Sequence, residues 1–554
     1  MNQSSNFLVR MNSHLHSYLY FSVHSFLCFT VLLLVFVSAP SIAGNTKPAE
    51  ILHRGNSTEP VTLDPHQSED VSSGNILRDL FEGLVTEDAE GNIIPGMAEK
   101  WSVSEDGLSY TFNLRTCITW SNGDALSAAD FVFSLRRALD PDTAAPMASL
   151  LLPIKNARAI MDGKLPVDKL GVEMPDAHKL IIKLDHPVPW FLQILSHPIA
   201  FPVYATSLIK DKDRAFSTGN LISNGAWTLQ QWVPYEKLVL KQNTHYYNQK
   251  KLFFKQVVYY PIETSNSEFS RYRAGELDWT DTIPPNKLGW IKKNLPGQAF
   301  ISPYLGTYYY GFNLTRKPFK GNTDLRRALS LAIDRAIIAE KILGNGEHPA
   351  DRWLPPGIMS GAEQSASSMG QNLKLAKQLY NRAGYSRDNP LRTTLYYNTS
   401  DQNKRIAVAI AAMWKKNLGI KVELINEEWK VFLNRRKSKT ETQLYRASWI
   451  ADYNDASSFL TLFTSNNAKN DTGYANPLYD DLIKQIESTM DVTQREKLIR
   501  QAEQQLLDDQ VIIPIYHYVS RHLVKPDIKG YRANPLDHHY SRYLYRNFFQ
   551  PQSG

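Results

Sequence analysis

Residues 110–141, YTFNLRTCITWSNGDALSAADFVFSLRRALDP, spell out one complete strand, turn and helix. Tyr110, Phe112 and Leu114 alternate with Thr111, Asn113 and Arg115, the period of a half-buried strand. Ser121, Asn122, Gly123 and Asp124 make a turn. Ser127 then stands three positions before Asp130 as a capping pair, and Phe131, Leu135 and Leu139 share one helical face until Pro141 ends it.

The same alternation of elements continues outward. Residues 402–418 predict a helix with Ile406, Ile410, Met413 and Trp414 inward, Lys415 and Lys416 in the last turn and Gly419 as the stop. Val422, Leu424 and Asn426 follow as a strand. A further helix is expected from Thr493, with Glu496 completing a capping box, and another over residues 324–343 through Leu325, Leu329 and Ile333. Interleaved strands and helices predict mixed α/β layers. No tandem repeat or low-complexity linker is visible. Two aromatic tracts, PYLGTYYY at 303–310 and IPIYHYV at 513–519, read either as a two-strand hinge or as two ordinary core strands.

A chain of 554 residues predicts about three domains, at roughly 150 residues each. With 43% apolar residues and 11 tryptophans it is a globular protein rather than a disordered one. The net charge of +7 comes without a basic patch, so no nucleic-acid partner is expected; Arg435, Arg436, Lys437 and Lys439 read as a solvated face or turn. The apolar run at 26–37 is shorter than the ~20 residues that span a bilayer. It precedes the small residues Ser38, Ala39 and Ala43, and predicts a secretory signal cleaved after Ala43. Cys117 is then the only cysteine, so no intrachain disulfide forms, which suits a periplasm.

No nucleophile elbow, HExxH, Walker loop, paired CxxC or dinucleotide fingerprint occurs, so no catalytic residue and no cofactor is expected. His538 and His539, in DHHYSR, would face opposite ways if extended, and closed metal sites want four convergent ligands; no metal site is expected there. The stretch RASWIADYND, 446–455, sets Asp452 among Trp449, Ile450, Ala451 and Tyr453 at what reads as a buried strand end. An ionised carboxylate there needs a cationic or multi-donor partner. Asp452 either caps a turn, pairs with Arg446, or meets a ligand cation such as the free amino terminus of a peptide. Tyr304, Tyr309, Tyr396, Trp429 and their aromatic neighbours beside polar breaks suit either a binding cleft or core packing.

Several ordered blocks then carry a resemblance. They are GLVTEDAEGNIIPGMAEKWSVSEDGLSYTFNLR, TWSNGDALSAADFVFSLRRALDP, NGAWTLQQW, RYRAGELD, YLGTYYYGFN, LAIDRAIIAEKILG, YYNTSD, WKKNLGIKV and RASWIADYN. Together they resemble the family 5 extracytoplasmic solute-binding proteins, the receptors of peptide ABC importers, in the branch that binds oligopeptides and murein tripeptide. The resemblance implies an α/β three-domain clamshell of the type II, cluster C-like periplasmic binding proteins, with mixed sheets and a two-strand hinge at the aromatic tracts. It places a base lobe at residues 44–81, 206–305 and 520–554, an inserted second domain at 82–205 and a moving lobe at 306–519.

By the same resemblance Asp452 pairs with the peptide α-amino group, while Arg446 and Arg436 engage carboxylates at the other end. Trp429 supplies an aromatic wall, Tyr309 is among the ligand-binding residues, and Glu69 and Val71 lie along the ligand backbone. Backbone groups of Ser448, Ile450 and residues 304–307, beginning at Tyr304, complete a strand-like ladder, with Asn398 and Asn403 beside it. Three positions depart from oligopeptide receptors, which commonly carry an acid, a histidine and a lysine where this chain has Gly311, Asn403 and Leu343; murein-tripeptide receptors also lack the acid and the lysine. The expected protein is a monomeric, non-enzymatic periplasmic receptor that hands an extended oligopeptide to an ABC permease. A receptor for the murein tripeptide alanyl-glutamyl-diaminopimelate is the alternative, ahead of haem or a nickel chelate.

Overall fold

The computed structural model describes residues 50–285, 287–358, 370–467 and 469–547; the expected signal segment at 1–43 lies outside them. The opening stretch forms the strand Ser109–Leu114 and the helix Ala128–Leu139. The Asp130 carboxylate accepts the Ser127 N–H at 2.8 Å, so the capping pair starts the helix as the spacing predicts. Gly123 sits at φ +91°, a left-handed turn that a side chain would strain. Phe131, Leu135 and Leu139 are all buried. The strand lies inside a four-stranded antiparallel sheet, between Ala98–Val103 and Lys179–Lys183, with Val172–Asp176 outermost.

A second four-stranded sheet runs Ile51–Gly55, Gln256–Tyr260, Lys237–Gln242 and Trp227–Val233, with the first pair parallel. The third has six strands. The two aromatic tracts are its longest members, Ala299–Phe312 and Ile512–Leu523, paired antiparallel from Ala299 opposite Leu523 to Gly311 opposite Ile512. Leu444–Ile450, Arg392–Asn398 and Lys421–Glu427 follow in that order, and His348–Pro349 edges the other side. Period-2 alternation splits the tyrosines of the central strand between two cores. Tyr308 and Tyr310 pack with Ile406, Ile410 and Trp414 of the helix Asp401–Leu418, whereas Tyr309 packs with Trp353 and Phe463. The architecture is mixed α/β, as the interleaving predicts.

Two helix expectations need correction. The helix expected from Thr493 spans Val492–Asp508 and is capped by Asp491, whose carboxylate accepts the Gln494 N–H at 2.7 Å; an ionised acceptor displaces the Thr493 hydroxyl from that role. The helix expected over 324–343 stops at Leu331. Arg335 donates to the Ser330 carbonyl at 3.1 Å and to the Pro514 carbonyl at 2.8 Å, so its guanidinium occupies a helix-end carbonyl, and Ile337–Leu343 resumes as a separate, wider-wound π segment.

Residues 534–542 fold back onto residues 78–88. Asp79 accepts the Ser541 N–H at 2.9 Å, Glu87 meets Nδ1 of His538 at 2.8 Å, and Arg542 forms a buried ion pair with Glu82. Among the described residues no helix is long and apolar enough to cross a membrane.

Candidate functional site

Asp452 follows directly on the end of the strand Leu444–Ile450, in the wall of a cavity of about 180 Å³. Ile450, Tyr304, Glu69 and Val71 line the same cavity. The last two are held at its rim because Asp70 caps the helix Val71–Leu80, accepting the Ser73 N–H at 2.8 Å. Burial lifts the Asp452 carboxyl to about 6, with Lys469 opposing the rise. Among the described residues no hydrogen-bond donor meets its carboxylate oxygens; only its backbone N–H is engaged, donating to Ser458 Oγ at 3.1 Å. Of the three readings open in the sequence, turn cap and Arg446 partner are both absent from the geometry.

Arg446 instead faces a polar-aromatic nest. Its guanidinium lies 4.8 Å over the Tyr308 ring and donates to Tyr518 Oη at 3.3 Å and Asn398 Oδ1 at 3.4 Å. Asn403 joins this nest, donating to Asn398 Oδ1 at 3.0 Å and accepting from Tyr308 Oη at 3.2 Å. No carboxylate of the described residues pairs with Arg446, and its Nε has no acceptor. A half-buried guanidinium without an anion is suited to take an anionic ligand group.

The strand between these two charges has an open edge. Leu444–Ile450 pairs on one side with Ala299–Phe312 through Ile450, but on the other side its pairing with Arg392–Asn398 stops at Tyr445. Backbone groups of residues 446–450, Ser448 and Ile450 among them, are thus left for an added strand.

Other expected residues lie elsewhere. Arg436 is ion-paired with Asp471 at 2.5 Å and stacked on Phe432 and Tyr445, so its charge is already met inside the protein. Arg435 binds Glu427 at 2.6 Å and also pairs with Glu441, so the basic run expected to be a solvated face is partly neutralised. Tyr309 belongs to the core, 5.0 Å from the Trp353 ring, because its neighbours Tyr308 and Tyr310 take the opposite face. Trp429 is exposed at the start of Trp429–Ser438 and stacks on Phe432. Gly311 faces the Tyr445 ring so closely that a Cβ would lie 2.3 Å from Cζ, and Leu343 is buried.

Sequence reasoning missed much of the cavity wall: Arg54, Arg78, Trp279, His522, Asp537 and the two histidines His538 and His539. Only the DHHY motif signalled itself, and it is not extended, since Asp537 sits at φ +58°. His538 reaches Arg78 and Glu87, and His539 reaches Asp537. The loop after Asp452 is also clasped from outside. Tyr453 stacks on Trp190 at 6.1 Å and 4°, Arg495 lies 4.7 Å over the same indole, and Arg495 holds Asp455 through two bonds of 2.6 and 2.7 Å.

Residues 92–471 match the family model described as bacterial extracellular solute-binding proteins, family 5 Middle. The periplasmic oligopeptide-binding protein OppA of Escherichia coli (strain K12) is 40% identical over 504 residues, covering 90% of this chain and 92% of that protein. The solved structure of the Escherichia coli murein tripeptide binding protein MppA superposes with a TM-score of 0.80 at 40% identity, covering 90% of this chain and 99% of the other. Haemophilus influenzae OppA in complex with the peptide RPPGFSPFR gives a TM-score of 0.78 at 38% identity, covering 90% and 99%.

Proposed function

The chain belongs to the bacterial extracellular solute-binding proteins of family 5, with the fold of the type II periplasmic binding proteins, and from that premise we propose that it is a periplasmic peptide receptor serving an ABC permease. One observation carries the reading: a half-buried carboxylate without a donor, Asp452, stands at one end of an open strand edge, and a half-buried guanidinium without an anion, Arg446, at the other. A zwitterionic peptide complements all three parts. Its amine meets Asp452, its backbone pairs with residues 446–450, and one of its carboxylates meets Arg446. Residues 446 to 450 span roughly 13 Å at the usual strand rise, the length of three to four extended residues. The protein breaks no bond.

In this reading residues 306–519 are the moving lobe, 82–205 the inserted domain, and the remaining described residues the base. The ligand favours closure because it touches Asp452 and the edge on one side and Glu69 and Val71 on the other. Murein tripeptide is the second reading, supported by the Tyr445 ring over Gly311 and by buried Leu343, where the acid and the lysine of oligopeptide receptors would otherwise stand. Mass spectrometry of ligand released by denaturing the purified protein decides between them: a mixture of short peptides identifies the general receptor, and a single diaminopimelate-containing tripeptide the specific one. Calorimetry with one peptide in free and N-acetylated form tests the amine anchor, and equal affinities would refute it.

A further inference from the structure

His522, Asp537 and His539 bring three metal-ligating atoms to one point in the cavity wall. Nε2 of His522 lies 2.9 and 3.0 Å from the two carboxylate oxygens of Asp537, and Nε2 of His539 lies 2.8 Å from Oδ1. The three ligand atoms fall within 4.8 Å of one another. The imidazoles are only 5% and 6% exposed, so this is a built pocket and not a surface coincidence.

The orientation of His522 carries the argument. Its Nδ1 lies 2.9 Å from the Thr280 carbonyl, which fixes Nδ1 as the N–H. In a neutral ring Nε2 then presents a lone pair to the lone pairs of Asp537. Something positive must stand between them, a proton or a metal ion. The Nδ1–H to carbonyl contact is the outer-shell bond that metal-ligating histidines make. Donors bound about 2.05 Å from a tetrahedral ion stand about 3.3 Å apart, so the cluster opens by a few tenths of an ångström to admit one. Asp537 is preset for its part: the Asn534 carbonyl accepts its N–H at 3.1 Å and holds it in the left-handed region.

We infer that His522, Asp537 and His539 hold a divalent transition-metal ion of the zinc class, with its open coordination positions turned toward the cavity. Two imidazoles and one carboxylate suit such an ion and not calcium or magnesium, which take oxygen ligands. The site stands on the cluster alone and does not require Asp452 to be the amine anchor. A peptide bound in the same cavity would lie within reach of the ion, so the metal adds a coordination contact to whatever the cavity holds.

The test uses the full chain without an affinity tag, freed of co-purified ligand by unfolding and refolding and of metal by a chelator. Zinc chloride is titrated by calorimetry, elemental analysis follows dialysis, and cobalt(II) absorption reports the ligand field. The expected result is one equivalent of zinc with a Kd in the micromolar range or tighter, weakened at least tenfold by His522→Ala and by His539→Asn. Circular dichroism confirms the fold of each variant, and the milder His539→Asn keeps the experiment decisive if His522→Ala unfolds. Asp452→Asn leaves zinc binding unchanged even if it abolishes peptide binding, which separates this site from the peptide reading. No bound zinc, or zinc bound equally by folded His539→Asn, overturns the assignment.

Discussion

Asp452 is held in a state that costs the empty protein stability. Burial raises its carboxyl to about 6, well above the ordinary 3.8, so the folded protein binds a proton more tightly than the unfolded one. Stability therefore falls as pH rises from about 4 to 6 and the group ionises, and Asp452→Asn should raise the melting temperature of the empty protein at neutral pH, as read by calorimetric scanning. The same substitution should weaken a free-amine peptide by about 3 kcal/mol, the scale of leaving a buried charge unpaired. Below pH 6 the wild-type affinity for such a peptide should fall about tenfold per pH unit, while an N-acetylated peptide shows no such slope in parallel titrations. Gly311 presents the opposite case, a position fixed by space alone. Its missing Cβ leaves room for the Tyr445 ring, so Gly311→Ala should destabilise by about 1–3 kcal/mol in urea unfolding, and pairing it with Tyr445→Ala should fail to be additive.

At the scale of elements, local rules were readable and distant ones were not. The strand, turn and helix at 109–139 follow from neighbours a few residues apart, and the structure reproduces them. Asp491 outcompeted Thr493 for a cap two positions away, a local contest decided by charge. Arg436 read as an available cation because Asp471, its partner, lies 35 residues on, and no spacing rule links them. His522 and Asp537 are likewise joined only by the fold, through a left-handed residue that periodicity cannot foresee. The clasp on the loop after Asp452 belongs to this distant class. Trp190 meets Tyr453 and Arg495 across segments that the lobe assignment places in different domains. Trp190→Ala should remove a stacking contact of about 1 kcal/mol and speed peptide release several-fold in stopped-flow, with little change in the on-rate.

For the whole molecule, the long antiparallel pair Ala299–Phe312 and Ile512–Leu523 shifts register between Pro303 and Thr307, and the lobe boundaries drawn from sequence, near residues 305 and 519, fall at that break. If those strands flex, saturating peptide should compact the protein in small-angle scattering. At a hundredfold excess over Kd it should also stabilise the fold by about 2.7 kcal/mol, read as a rise in Tm.

The cavity takes its walls from stretches far apart in the chain: Arg78 touches His538 across 460 positions. A ribosome releasing this polypeptide from its N-terminal side therefore emits residues 54–78 long before the segment that completes their pocket. Until residue 539 has emerged and folded back, there is nothing for a ligand to enter, so recognition is withheld from every partial chain and cargo is met only by the finished receptor.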